Sequence, residues 1–265
     1  MRTSVTATQI NVFDDRFYFV PFSAEVKQDQ IPEHLEYLIS DGGIYLPSST
    51  HILDVAYSKG EMFNSWLKDV GHNAKVIAGI AAERGSRGHH ACERLLNGDE
   101  IDFEEAVEGD NYYLTPRYSL DDWKNILKFK EFMDQAKPTD VRSEEIVFNL
   151  EMGYAGTRDI RCVIDGETWI IDLKFGNSVY DSHYLQLESY ARCEVGIDRI
   201  GVLHMKAQTR GERKGKIQGK GWQVVEPKVD REELFNTWKA LLQIYKFKNN
   251  GETPRSITIP KKIKL

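Results

Sequence analysis

At 265 residues, 41% hydrophobic and 29% charged, the chain can bury a full core, and no apolar run approaches the roughly twenty residues of a membrane span. Its three cysteines, Cys92, Cys162 and Cys193, lie far apart without the C-x-x-C spacing of a zinc or iron–sulfur site, so burial as small apolar side chains is their expected role. The net charge of −6 argues against a protein that coats nucleic acid, yet from Arg199 onward 16 Lys/Arg face 6 Asp/Glu, so the C-terminal quarter is basic.

The first fifteen residues contain acids and no signal-peptide pattern, and a reducing, cytoplasmic compartment is expected. Residues 7–22 place Asp14-Asp15 between alternating stretches, the pattern of a β-hairpin. Ser and Thr in LPSSTHILDVA (46–56) offer a helix cap, and helix-spaced apolar positions continue over 61–70 and 75–97, so the first half reads as mainly helical. Seven acids between Asp99 and Asp110 read as a solvated surface, and a helix over 120–135 stops before Pro138.

From Ser143 to Phe175 the period switches to two, predicting three strands, followed by a helix over 179–194. Residues 199–206 and 221–225 read as further strands, 230–246 as a terminal helix, and the tail after Gly251 as an irregular arm. Residues 1–142 thus form a hairpin and helical part, and 143–265 a sheet-bearing core with a basic end, within one integrated domain. The fold class is α/β in the α+β sense, a central mixed sheet flanked by helices.

The chemistry concentrates in TRDIRCVIDGETWIIDLKF (157–175). Asp165-Gly166 closes a two-residue hairpin, because both positions tolerate positive φ. That turn pairs Ile160 with Ile171 and Cys162 with Trp169, making one face apolar. The other face sets Asp159 across from Asp172, with Lys174 on the same side. Two carboxylates roughly 5 Å apart repel, and a divalent cation removes the repulsion. Oxygen ligands suit Mg²⁺ or Mn²⁺, and the Lys174 ammonium can stabilise an attacking hydroxide or a phosphoryl oxygen. Gly153 and Gly156 before Asp159 allow a bend, and Glu144, one strand earlier, can add a carboxylate.

Gly156-x-x-Asp159 and Asp172-Leu173-Lys174 resemble the two central motifs of the PD-(D/E)XK nuclease superfamily, in particular its RecB-like branch with bacteriophage and mitochondrial genome maintenance exonucleases. Gln186-Leu187-Glu188-Ser189-Tyr190 is similar to the branch's helical Gln-x-x-x-Tyr, and Arg84 to Glu93 resembles the earlier helix that supplies a metal-binding histidine. By position that histidine is His89, with His90, about 100° round the helix, as the competitor.

The resemblance spans roughly residues 46–206 and implies a restriction-endonuclease-like core with the helical N-terminal part covering the site and supplying the histidine. It implies one or two Mg²⁺ or Mn²⁺ ions held by His89, Asp159, Asp172 and the Leu173 carbonyl, with Glu144 assisting, Lys174 polarising water, and Gln186 and Tyr190 orienting Lys174 or touching the strand. The four cysteines that hold an iron–sulfur cluster in some relatives have no counterpart, so no cluster is expected. In the basic segment RGERKGKIQGK (210–220), Arg210, Arg213, Lys214 and Lys216 are candidate phosphate contacts. The implied function is Mg²⁺-dependent exonuclease action on DNA with a free, single-stranded end, in replication, recombination or repair of a bacterium or bacteriophage, possible partners being a helicase or another recombination protein. The alternatives are a structure-specific or adaptation-type endonuclease of the same fold, and a non-catalytic DNA-binding accessory subunit.

Overall fold

Turn chemistry and helix caps set the elements of the chain. The computed structural model describes residues 7–12, 15–58, 60–108, 114–211 and 215–249. Two compact units interleave in sequence. The described residues up to Ala56, Phe148–Gly156 and those from Ala240 form one; Tyr57–Val147 and Thr157–Lys239 form the other.

In the first unit, β1 (Thr8–Val12) pairs antiparallel with β2 (Asp15–Pro21), from Val12↔Asp15 to Thr8↔Phe19. Asp15 therefore opens a strand, and Asp14, the other half of the expected turn, lies outside the described residues. Asp41 and Gly42, at φ 54° and 77°, close a tight hairpin between β3 (Ile39–Ser40) and β4 (Gly43–Pro47). The sheet order is β1-β2-β4-β3, two strands more than the helical reading of this stretch allows. Ser48 Oγ accepts the His51 N–H at 3.0 Å and caps α1 (Ser49–Ala56).

The second unit begins with α2 (Glu61–Val70) and α3 (Ala74–Leu96), then a small ladder of β5 (Ala106–Glu108) and β6 (Leu114–Pro116). A Ser119–Asp122 capping box starts α4 (Leu120–Ala136), and Lys137, left-handed at φ 44°, ends it before Pro138. Next come β7 (Thr139–Asn149), β8 (Tyr154–Ile164), β9 (Glu167–Lys174), α5 (Asp181–Ala191) and β10 (Arg199–His204). β11 (Gln218–Gly219), β12 (Trp222–Val225) and α6 (Arg231–Asn249) complete the described chain, and the expected C-terminal arm lies outside it.

The sheet order is β11-β12-β10-β9-β8-β7. β9 and β10 run parallel, with α5 as their crossover, while β8–β9 and β10–β12 are antiparallel, so the sheet is mixed and the protein is α+β. Ile160, Cys162, Ile164, Trp169, Ile171, Leu173 and Leu203 form the sheet's part of a buried core with Cys92 of α3 and Phe129 and Phe132 of α4. Ile170 and Val202, of the opposite parity, are equally buried, and α5 is the helix packed on β9 and β10. Among the described residues no helix is long and apolar enough to cross a membrane.

Candidate metal centre

The β8–β9 hairpin does two jobs, because its register holds the core and its frayed end makes the site. Asp165 and Gly166 take φ 52° and 84°, and the ladder runs from Ile164↔Glu167 to Ile160↔Ile171. Asp159 and Asp172, one step further, meet differently from a simple facing pair. The Leu173 N–H, free of the ladder, donates to Asp159 Oδ2 at 2.7 Å. Arg158 and Arg161 both reach Glu194, which two residues three apart on an evenly alternating strand cannot readily do. β8 thus loses its alternation around Asp159, a bulge-like break that re-aims the carboxylate.

β7 carries a matching distortion. Glu144 sits in the left-handed region at φ 51°, a conformation costing a non-glycine residue roughly 1 kcal/mol or more. Its neighbour Glu145 pairs with the buried Arg158 at 2.6 Å. One ion pair thus fixes the residue beside Glu144 and the residue beside Asp159. One ligand atom each from Glu144, Asp159 and His89 then lie within 4.8 Å of one another.

His89 arrives on α3 because Gly88 lets that helix come close: a Cβ on Gly88 would lie 2.7–2.8 Å from atoms of the Phe175 ring. The His89 imidazole meets Phe175 edge-on and brings Nδ1 to 3.4 Å from Asp159 Oδ2. His90 points elsewhere, 3.7 Å from Glu93 and half exposed. Asp172 and Lys174 complete the group with Oδ2 and Nζ 2.6 Å apart. The Asp172 carboxylate is buried, so the Lys174 ammonium is its close charged partner. Leu173, between them, packs its side chain into the core and pairs with Leu203.

Crowded acids behave as expected for such a cluster. Burial, then the Asp159, Glu93 and Asp172 charges, push the Glu144 carboxyl up to about 7. Burial also lifts Asp159, with Asp172 adding to it, while His89, Lys174 and the Leu173 N–H offset only part. Burial pulls Lys174 down, but Asp172 and Asp159 outweigh it and hold the ammonium charged.

On α5, Gln186 Nε2 donates to Tyr190 Oη at 2.8 Å, so the two residues act as one unit. The helix is held by buried Leu185, Leu187, Tyr190 and Ala191, whereas Tyr180, at the N-cap position, is exposed. Three residues near the centre escape the sequence reading. Glu93 lies one turn after His89, an i,i+4 spacing that signals a shared stripe. His183, three residues before Gln186, is pushed down to about 4 by burial and Lys174, with His204 adding. His204 is the strand partner of Lys174 and bonds the Gly176 carbonyl at 3.0 Å. In the basic segment Arg210 and Lys216 are exposed; Arg213 and Lys214 lie outside the described residues.

No protein-family model matches the chain, and no curated protein matches it either. The donor set itself fits a hard divalent cation: two crowded carboxylates and an imidazole, with the Asp172–Lys174 pair beside them.

Proposed function

We propose that the chain is a metal-dependent nuclease, resembling the RecB-like branch of the PD-(D/E)XK superfamily and its restriction-endonuclease-like core, that removes nucleotides from a free DNA end. The observation that carries this reading is the convergence of His89, Glu144 and Asp159 beside the Asp172–Lys174 pair at the parting of two strands. A structural salt-bridge network would pair acids with bases one for one; here acids are brought together.

His89, Glu144 and Asp159, with Asp172 adjoining, would hold Mg²⁺ or Mn²⁺. Bound there, the cation supplies Lewis-acid activation of a water and neutralises charge on the scissile phosphate. Lys174, kept charged by its two aspartates, positions that water and stabilises the phosphoryl oxygen on which charge develops. The water oxygen bonds to phosphorus, the bond to the 3′-oxygen breaks, and the products carry a 5′-phosphate and a 3′-hydroxyl. Gln186 and Tyr190, locked to each other, are placed on α5 to steady the approach to Lys174.

End-labelled linear and circular single-stranded DNA, each with Mg²⁺, Mn²⁺ or chelator, test this reading. The expected result is metal-dependent shortening of linear strands, lost in Asp172→Ala and Lys174→Ala while DNA binding persists. Efficient cutting of circles would make the protein an endonuclease of the same fold, and binding without any cleavage would make it an accessory subunit.

A further inference from the structure

Lysines gather around the Met205 peptide that follows β10, next to the Lys174 end of β9. Lys174 ends β9, and its carbonyl accepts the Met205 N–H at 2.9 Å. Lys128, reaching from α4, donates through Nζ to the Met205 carbonyl at 2.5 Å, so the same peptide neighbourhood leads from Lys174 to Lys128. Lys206 follows directly, and burial together with the Lys206 and Lys124 charges holds the Lys128 ammonium below its ordinary value. A Cβ on Gly221 would lie 3.4 Å from Lys128 Nζ, which places the β11–β12 turn, with exposed Lys220, against it. Lys220 in turn bridges to Arg210 across the base of the basic segment, where Lys216 is also exposed.

Within the described residues no carboxylate comes within 4.0 Å of the charged ends of Lys128, Lys206, Lys220, Arg210 or Lys216; Asp121, whose charge acts on Lys128, is paired with Arg84. Glu131, whose Oε1 would lie 2.5 Å from a Cβ on Gly219, is an acid of this surface, but the cations around it outnumber it, and such an excess of like charge is offset by a bound anion. Half-buried Lys128 and Lys206, continued by exposed Lys220, Arg210 and Lys216, suit a repeating phosphate backbone better than a single small anion.

We propose that Lys128, Lys206 and Lys220, continued by Arg210 and Lys216, form a phosphate track leading away from Lys174 that holds the backbone of the single strand being cut. The track rests on the nuclease reading above and adds to it where the strand lies. Bases make no directed contacts there, so the track holds any sequence alike, and its contribution weakens with salt.

The test uses the full chain carrying Asp172→Ala, so that DNA is bound without being cut, with fluorescence anisotropy of a labelled oligothymidylate across a salt titration. Adding Lys128→Ala and Lys206→Ala weakens binding roughly tenfold and lowers the log–log salt slope by about 0.7 for each charge removed. Lys128→Arg keeps both affinity and slope. Because Lys128 also binds the Met205 carbonyl, Lys206→Ala with Lys220→Ala repeats the measurement without disturbing that bond. Lys130→Ala, on the same helix but paired with Asp134 at 2.6 Å, leaves binding unchanged. If the lysine variants keep the affinity and slope of the Asp172→Ala chain, the track is overturned and the nuclease reading stands. If the unsubstituted chain cuts no DNA with either metal and the Asp172→Ala chain binds none, both fall together.

Discussion

Arg158 and Arg161 converge on one carboxylate, Glu194, at 2.6 and 3.0 Å. Burial alone would raise the Glu194 pKa, but the two guanidiniums outweigh it and hold the carboxyl below its ordinary range. A carboxylate with a lowered folded pKa stabilises the native state above its unfolded value of about 4.3, and that stability is lost as pH falls through the folded value. The Glu194→Gln chain should therefore melt below the unsubstituted one at neutral pH, and the gap should close as pH falls through the folded value of Glu194. A gap of equal size at both ends would mean that shape rather than charge holds the arginines. The residues of the centre differ in how far the sequence shows them. The Asp165-Gly166 turn fixes the ladder as far as Ile160↔Ile171 and so brings Asp159 near Asp172 and Lys174, but the facing pair expected from strand parity is replaced by the Asp159 bond to the Leu173 N–H. Arg158 is not legible: strict alternation assigns it the core face, and only the break in β8 turns it to Glu194. His89 and His90 are separable only once α3 is seated, because the deciding contact, Gly88 on Phe175, joins residues far apart in sequence.

That contact makes α3 a sensitive element. Gly85 and Gly88 lie on the same helix, and alanine is favoured over glycine in a helix interior by about 1 kcal/mol. A Cβ on Gly85 meets nothing within 4 Å, so Gly85→Ala should stabilise by up to about 1 kcal/mol and leave metal binding alone. At Gly88 the same methyl meets the Phe175 ring, and either the ring or the helix must shift. Gly88→Ala should weaken Mn²⁺ binding, measured by calorimetry, and Phe175→Leu in the same chain should restore part of it. Equal Mn²⁺ affinity in Gly85→Ala and Gly88→Ala would show that the approach of α3 does not set the position of His89. Helices and long strands were readable because capping residues and periodicity are local: Ser119 with Asp122, or Asp165 with Gly166, act within a few residues. The β3–β4 hairpin carried the same signal in Asp41-Gly42, but its flanking strands are too short to show a period. The distortion of β7 at Glu144 had no signal at all, since a glutamate at φ 51° is imposed by its surroundings rather than preferred.

At the scale of the whole molecule, the uneven charge yields a test of the proposed metal binding. The acids that give the chain its net charge of −6 include a cluster, Glu93, Glu144, Asp159 and Asp172, that Lys174 and His89 only partly offset. The fold carries that repulsion as lost stability, and on the proposed reading a cation that binds the folded state alone would return it through linkage. At a metal concentration about a hundred times the dissociation constant, linkage adds about 2.7 kcal/mol, or roughly 5 to 10 °C in Tm for a chain of this size. Chelator should therefore lower Tm by several degrees relative to Mn²⁺. Asp159→Asn separates this from a general effect of ionic strength, because it moves the two measurements in opposite directions. The neutral amide can still accept the Leu173 N–H, so the metal-free variant should melt higher than the metal-free parent, relieved of one repelling charge. With a ligand charge gone, its response to Mn²⁺ should shrink to that of any divalent salt. A variant that melts lower without metal and still responds fully to Mn²⁺ would place the cation elsewhere and reduce Asp159 to a structural partner of Leu173.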